Sequence, residues 1–164
     1  MCLCYRDGDV TQPKGDGQKL IPHVCNDIGG WGKGFVLAIS KRWKEPEEEY
    51  RKWYLQCKSR MGYRFMPMGE VQYVRVEEDI VIANMIAQHL IWPMGGIAPV
   101  RYRSLTKTLA NVCEYAREND ASVHMPRIAS ELAGGDWAII ESIIVKELVD
   151  YGVSTTVYTL PSTD

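Results

Sequence analysis

The stretch His23 to Val36, HVCNDIGGWGKGFV, constrains this chain more than any other. An apolar run, Leu20 to Val24, leads into Cys25-Asn26-Asp27 and then into a loop with glycines at 29, 30, 32 and 34. Phe35 to Ile39 is apolar again and reads as the start of a helix. A strand, a polar amide, a glycine loop and a helix start together form a device for holding an anion. Glycine lets the backbone approach a ligand closely and offers amide donors with no side chain in the way.

At 164 residues the expectation is one domain, spanning 1–164, with a substantial core. The net charge of −2 and pI near 5.9 argue against a surface that binds nucleic acid through many phosphates. A small anionic ligand stays open, because backbone amides can hold it without net positive charge. No apolar run approaches the ~20 residues that cross a bilayer, so no membrane association is expected, and no secretory signal is seen. Five cysteines, an odd number, suit free thiols in a cytoplasmic protein. Cys2 and Cys4 lack a second Cys/His cluster, so no metal and no cofactor are expected.

The rest of the chain alternates strand and helix patterns. Met1 to Arg6 and Leu20 to Cys25 read as strands, and Phe35 to Trp43 as a helix. Pro46 opens a second helix whose core face is Tyr50, Trp53, Tyr54 and Cys57. Gly69 to Val76, an acidic turn, and Ile80 to Ala87 read as a hairpin. Arg101 to Asn119 carries Tyr102, Leu105, Leu109, Val112, Cys113 and Ala116 at helical spacing. Val123 to Ile128 is a strand, and Trp137 to Asp150 a helix that buries Ile140, Ile143, Ile144, Leu148 and Tyr151 and stops at Gly152. Val153 to Tyr158 is the last strand. This alternation predicts an α/β chain, a three-layer α/β/α domain with a mixed central sheet.

In open α/β sheets ligands collect beyond the carboxyl ends of strands. Three loops fall there: Asp9-Val10, Asn26 to Gly34, and Ala129 to Asp136. Neither glycine loop is a P-loop or a GxGxxG fingerprint. The order GDVT, HVCND-x-GGWGKG, IANMIAQH, MPRI-x-x-x-LAGGDW, TVYTL is more specific. From about Arg6 to Leu160 it resembles the macrodomain family of ADP-ribose-binding modules. The similarity is greatest to the branch holding terminal ADP-ribose glycohydrolases and ADP-ribose-1″-phosphate phosphatases.

The resemblance implies that Asp9 accepts a hydrogen bond from the adenine amino group, with Val10 beside it. Asn26 stands where the family places an amide against the distal ribose, its alternative being a cap on its own loop. Trp31, Gly32, Lys33, Gly34 and Phe35 would line the phosphates and that ribose. Ile128, Ser130, Glu131, Leu132, Ala133, Gly134 and Gly135 would close over the diphosphate from the other side, with Tyr158 and Leu160 flanking adenine. The implied partner is ADP-ribose or an ADP-ribosylated protein, bound by a monomer.

Departures from the family bear on catalysis. Gln88 stands where the glycohydrolase branch has a lysine, and Val36 where another branch has an aspartate. Ala129-Ser130-Glu131 replaces Gly-x-Gly, and Glu131 brings a carboxylate toward the diphosphate. Asp136 is either a general base or the N-cap of the helix that starts at Trp137. Two readings follow: a hydrolase acting at the distal ribose C1″ ester through water held by Asn26, Gln88 and the ligand's own phosphate, with Asp136 or Asp27 assisting, or a non-catalytic ADP-ribose reader. A third is a degenerate macrodomain serving as an interaction module.

Overall fold

A computed structural model describes residues 2–60, 62, 64–93, 95–130 and 133–160. Its strands are β1 (Cys4–Asp7), β2 (Gln18–Asn26), β3 (Val71–Glu77), β4 (Ile80–Gln88), β5 (Ala121–Met125) and β6 (Thr155–Thr159). The helices are α1 (Phe35–Arg42), α2 (Glu45–Arg60), α3 (Tyr102–Glu118) and α4 (Trp137–Glu147). The sheet runs β1-β6-β5-β2-β4-β3, and only β3 is antiparallel to its neighbour.

β2 and β4 are almost wholly buried and apolar, as strands covered on both faces must be. Their alternation splits the core in two. Leu20, Val81, Ala83, Met85 and Ala87 meet Leu105, Leu109 and Val112 of α3 and Ile140 and Ile144 of α4. Ile21, Cys25, Ile82 and Ile86 meet Val36 and Ile39 of α1 and Tyr50 of α2. The result is the three-layer α/β/α arrangement that the alternation of elements predicts.

Most boundaries differ from the sequence reading by one to three residues, and two of the shifts have a plain cause. β5 stops at Met125, because Pro126 brings no N–H to continue a ladder. α4 stops at Glu147, and a 3₁₀ turn over Val149–Tyr151 follows, ended by Gly152 in the left-handed region at φ 81°. Tightening the last turn swings Tyr151 out to solvent, 58% exposed, so it is not a core residue.

Parallel register brings the functional ends together. Asp7 pairs with Thr159, and Asn26 pairs with Gln88, so these strand ends open on one edge of the sheet. Between Cys25 and Asn26 the register slips: Cys25 faces Ile86, Asn26 faces Gln88, and Ala87 is left between them as a bulge.

Candidate functional site

A cavity of about 990 Å³ lies along that edge. Small-molecule sites span ~300–1,000 Å³, so there is room for a dinucleotide-sized ligand. At the β1/β6 end its wall includes Gly8, Asp9, Val10, Tyr158 and Leu160. At the β2/β4 end it includes Asn26, Gln88, Ile91 and Trp92. Gly32, Lys33, Gly34 and Phe35 form one side between these ends, and Ile128, Ala129 and Ala133 the other.

The first loop is held from within. Asn26 Oδ1 accepts from the amides of Ile28 at 3.1 Å and Gly30 at 2.9 Å, and its Nδ2 donates to the Gly30 carbonyl at 2.8 Å. The Tyr50 hydroxyl of α2 shares its proton between the Asn26 carbonyl at 2.6 Å and Oδ1 at 3.0 Å. Arg51 donates to the Gly29 carbonyl at 3.1 Å. Asn26 is therefore the cap of its own loop, and a second Nδ2 proton remains for a ligand.

α1 begins differently. Its N-cap, Gly34, has φ 83° and ψ −149°, a conformation that belongs to glycine, and no side chain caps the helix. The Leu37 amide returns to the Gly34 carbonyl at 3.1 Å, which leaves the Phe35 and Val36 amides beside the cavity without a capping side chain, at the positive end of the helix dipole and with no acidic residue in that turn. Trp31, by contrast, does not line the cavity. It packs in the core beneath the loop, 5.4 Å from the His23 ring, and its indole N–H donates to Ser40 at 2.7 Å. The ring's apolar area wins over any place at the wall.

Asp27 ties the loop to the segment after β4. Its buried carboxylate accepts from the Leu90 amide at 2.9 Å and meets His89 Nδ1 at 2.7 Å. Leu90 is forced into the left-handed region at φ 64°, and its carbonyl accepts from Gln88 Nε2 at 2.9 Å. Gln88 Oε1 keeps its acceptor capacity at the cavity wall.

The floor under this end is neutral. His23 is buried, and desolvation pulls its pKa down to about 4 against the help of a hydrogen bond with Asn84. Asn84 Nδ2 donates to the Pro46 carbonyl and to Gln72, which turns its Oδ1 toward His23 Nε2 at 2.5 Å and places the proton on that nitrogen. Burial also pushes the Cys25 thiol, 3.9 Å from His23 Nδ1, well above the usual range. A thiolate–imidazolium pair is therefore excluded.

The second loop is shaped by close backbone approach. Ala129 occupies the left-handed region at φ 60°, which glycine adopts more readily. Gly135 donates its amide to the Ala129 carbonyl at 2.7 Å, and a Cβ on it would lie 2.5 Å from that oxygen. Gly134 packs against Ala98, and Ser130 donates to the Arg127 carbonyl. Ser130, Gly134 and Gly135 thus shape the loop from behind and are not on the cavity wall. Asp136 is the N-cap of α4, accepting from the Ala138 amide at 2.9 Å, and lies off the wall too. Glu131 and Leu132 lie outside the described residues.

At the β1/β6 end, Asp9 Oδ1 accepts from the Thr11 amide at 2.9 Å and its hydroxyl at 2.7 Å, leaving Oδ2 open. The Tyr158 hydroxyl accepts from the Lys14 amide at 3.0 Å and meets His124 Nδ1 at 2.8 Å. His124 is held neutral by burial and by nearby Lys19 and Arg6, its pKa lowered to about 4.

The cavity thus gathers Asp9, Val10, Asn26, Gly32, Lys33, Gly34, Phe35, Gln88, Ile128, Ala133 and Leu160 from the sequence reading. Sequence reasoning missed His23, Ile91, Trp92 and Arg127. Position after a parallel strand is the signal that marks Ile91, Trp92 and Arg127, whereas His23 lies within β2.

No family model matches the chain. Its fold superposes on a Bacteroides thetaiotaomicron protein of unknown function with TM-score 0.90 and 48% identity, over 96% of this chain and 98% of that one. A macrodomain protein from Streptomyces coelicolor matches at 46% identity and TM-score 0.80, over 96% and 98% of the two chains. A more distant likeness, TM-score 0.75 at 14% identity, is Thermosipho africanus DarTG in complex with ADP-ribose, over 99% of this chain and 42% of that one. Among curated proteins, mouse chromodomain-helicase-DNA-binding protein 1-like is 29% identical over 96% of this chain, which spans 18% of the mouse protein's length. The ADP-ribose 1″-phosphate phosphatase of Candida albicans is 23% identical over 85% of this chain and 90% of its own. With the identity to the Streptomyces protein running over nearly the full length of both, this chain belongs to the macrodomain family.

Proposed function

We propose that the chain binds the ADP-ribose group and hydrolyses an ester at its distal ribose C1″, releasing it from an acidic side chain of a modified protein or from phosphate. The observation that carries this reading is the uncapped start of α1, whose amides face a cavity of dinucleotide size. In this reading adenine lies at the β1/β6 end, its amino group donating to Asp9. The diphosphate takes the amides of Gly32 to Phe35, with Ala129 and Ala133 on the opposite wall. The distal ribose reaches Asn26 and Gln88. Two similar proteins support the ligand and the bond: DarTG was solved with ADP-ribose, and the Candida protein is an ADP-ribose 1″-phosphate phosphatase.

Hydrolysis would depend on orientation more than on a strong base. Gln88 Oε1 accepts a hydrogen bond from the water that attacks C1″, and the remaining Nδ2 proton of Asn26 donates to a ribose hydroxyl. The C1″–O bond breaks with its electron pair going to the departing carboxylate or phosphate, and the water's proton leaves to solvent. The helix amides stabilise the charge that builds on the ligand side. With Asp136 engaged as a cap and His23 neutral and buried, neither enters the scheme. A second reading, a reader that binds without turnover, is favoured by the commitment of Asn26 and Gln88 to backbone partners.

Calorimetry with ADP-ribose, followed by turnover of glutamate-linked ADP-ribosylated protein and of ADP-ribose-1″-phosphate, tests both. Hydrolysis predicts product, reduced in Gln88→Ala with binding kept. Binding heat without product from either substrate selects the reader, and no heat at all removes both readings.

A further inference from the structure

The cavity holds one arginine whose position the binding scheme leaves without a task. Arg127 directly follows the β5–Pro126 end and lines the wall. Its guanidinium carbon sits 5.5 Å from the Tyr5 ring centroid and 5.1 Å from that of Trp137. The two rings meet edge to face at 73°, forming a corner. That corner is itself fixed: Trp137 Nε1 donates to the Tyr5 hydroxyl at 3.1 Å, and the Tyr5 hydroxyl donates to Glu141.

A guanidinium resting against aromatic faces keeps its in-plane N–H fork for other partners. Among the described residues nothing accepts a hydrogen bond from the Arg127 side chain and no carboxylate forms an ion pair with it. Its rotamer freedom is already restricted by the rings, so a ligand that engages the fork meets a donor set held in place. Place in the sheet then says which part of a ligand it meets. Tyr5 lies on β1, paired with Val157 of β6, so the corner stands over the β1/β6 end, away from Asn26 and Gln88.

We propose that Arg127, held by Tyr5 and Trp137, is an oxyanion-reading residue at the adenosine end, so that the site accepts ADP-ribose bearing a further phosphate monoester on its adenosine ribose. This rests on the placement of adenosine at the β1/β6 end given above. Adenosine itself carries no charge there, and the diphosphate is served by the α1 amides. A planar fork suits the oxygens of a phosphate monoester, and a bidentate charge-assisted contact is the strong form of that interaction. Asp9, the carboxylate at the same end, is turned to Thr11 with one oxygen.

Titration calorimetry with ADP-ribose and with ADP-ribose 2′-phosphate tests the assignment. Wild type should bind the phosphorylated ligand about tenfold more tightly. Arg127→Ala should bring the two ligands level while changing affinity for ADP-ribose itself less than about twofold, and Arg127→Gln, which keeps the packed stem, should do the same. Equal affinities in wild type, or a parallel loss for both ligands in the variants, overturn it, the latter by showing that Arg127 meets adenine or the diphosphate instead. Heat with ADP-ribose but no preference sinks this inference alone, whereas no heat with either ligand sinks it together with the reading beneath it.

Discussion

The two loops that face each other across the cavity are built on opposite principles. The first, Asn26 to Gly34, is held by side chains: Asn26 bonds across it, Tyr50 and Arg51 reach up from α2, and Asp27 anchors it to Leu90. The second, Ala129 to Asp136, rests among its described residues on close backbone approach at Gly135, the Ser130 and Tyr102 hydroxyls at its two ends, and the Asp136 helix cap. The helix after the first loop starts without a cap, while the helix after the second is capped by Asp136. Side-chain scaffolding under the first loop thus leaves the Phe35 and Val36 amides of its helix uncapped, whereas Asp136 satisfies the Ala138 amide of the helix after the second. Ligand charge belongs on the first side.

Asn26→Ala attacks the side-chain scaffold most directly. The Ile28 and Gly30 amides lose their acceptor at once, while the Tyr50 hydroxyl keeps the backbone carbonyl of residue 26, and we expect a loss of about 3 kcal/mol. The urea midpoint should fall with little change in slope. A midpoint within error of wild type would mean that the glycines hold the loop by themselves.

Acid should act on the first loop through its floor. His23 in the unfolded chain takes a proton near its ordinary 6.5, and in the fold only near 4, so the unfolded state binds more protons between these values. Stability is complete above about pH 6.5 and falls as pH drops toward 4, by up to about 3 kcal/mol for this group. His124 acts with the same sign under β6. His23→Gln should flatten part of the slope; an unchanged profile would assign the acid loss to His124 and leave the first loop insensitive.

The backbone-built loop has a different weak point. Gly135→Ala pushes a methyl into the Ala129 carbonyl and Ile140, contacts of 2.5 and 2.6 Å that something must relieve. Overpacking of this kind costs about 1–3 kcal/mol. Because the Ala129 oxygen is the obstacle, ligand affinity should fall with stability, and a purely thermal effect with unchanged affinity would separate the loop's shape from binding.

The smallest expected effect has the opposite sign. Ala129 holds φ 60° without being glycine, and Ala129→Gly should relieve strain of about 1 kcal/mol, less the entropy that glycine adds to the unfolded chain. A modest rise in melting temperature is the expected outcome, and a fall would show that the Ala129 methyl packs better than its backbone is strained.

How much of this was legible in the residues depends on periodicity. Apolar runs marked β2 and β4, and the spacing of Leu105, Leu109 and Val112 marked α3, since burial repeats along those elements. No period governs a loop, so nothing in GGWGKG says that Trp31 turns inward while Lys33 faces the cavity. Asp136 could be read as a cap because capping is local; the Asn26–Tyr50 contact could not, since it joins residues 24 positions apart. The Arg127 corner joins β1, the end of β5 and α4, and only the sheet order brings these together.

The extra residue in β4 opposite Cys25 and Asn26 works as a phase boundary between two kinds of selection. Below it, each side chain of β2 and β4 is locked in step with its neighbours, and a change at one rung is felt by the whole stack. Above it the step is reset, so Gln88 answers to Asn26 and not to the rhythm of Ile82 and Ile86. A side chain at the mouth can therefore change without asking the stack beneath to repack.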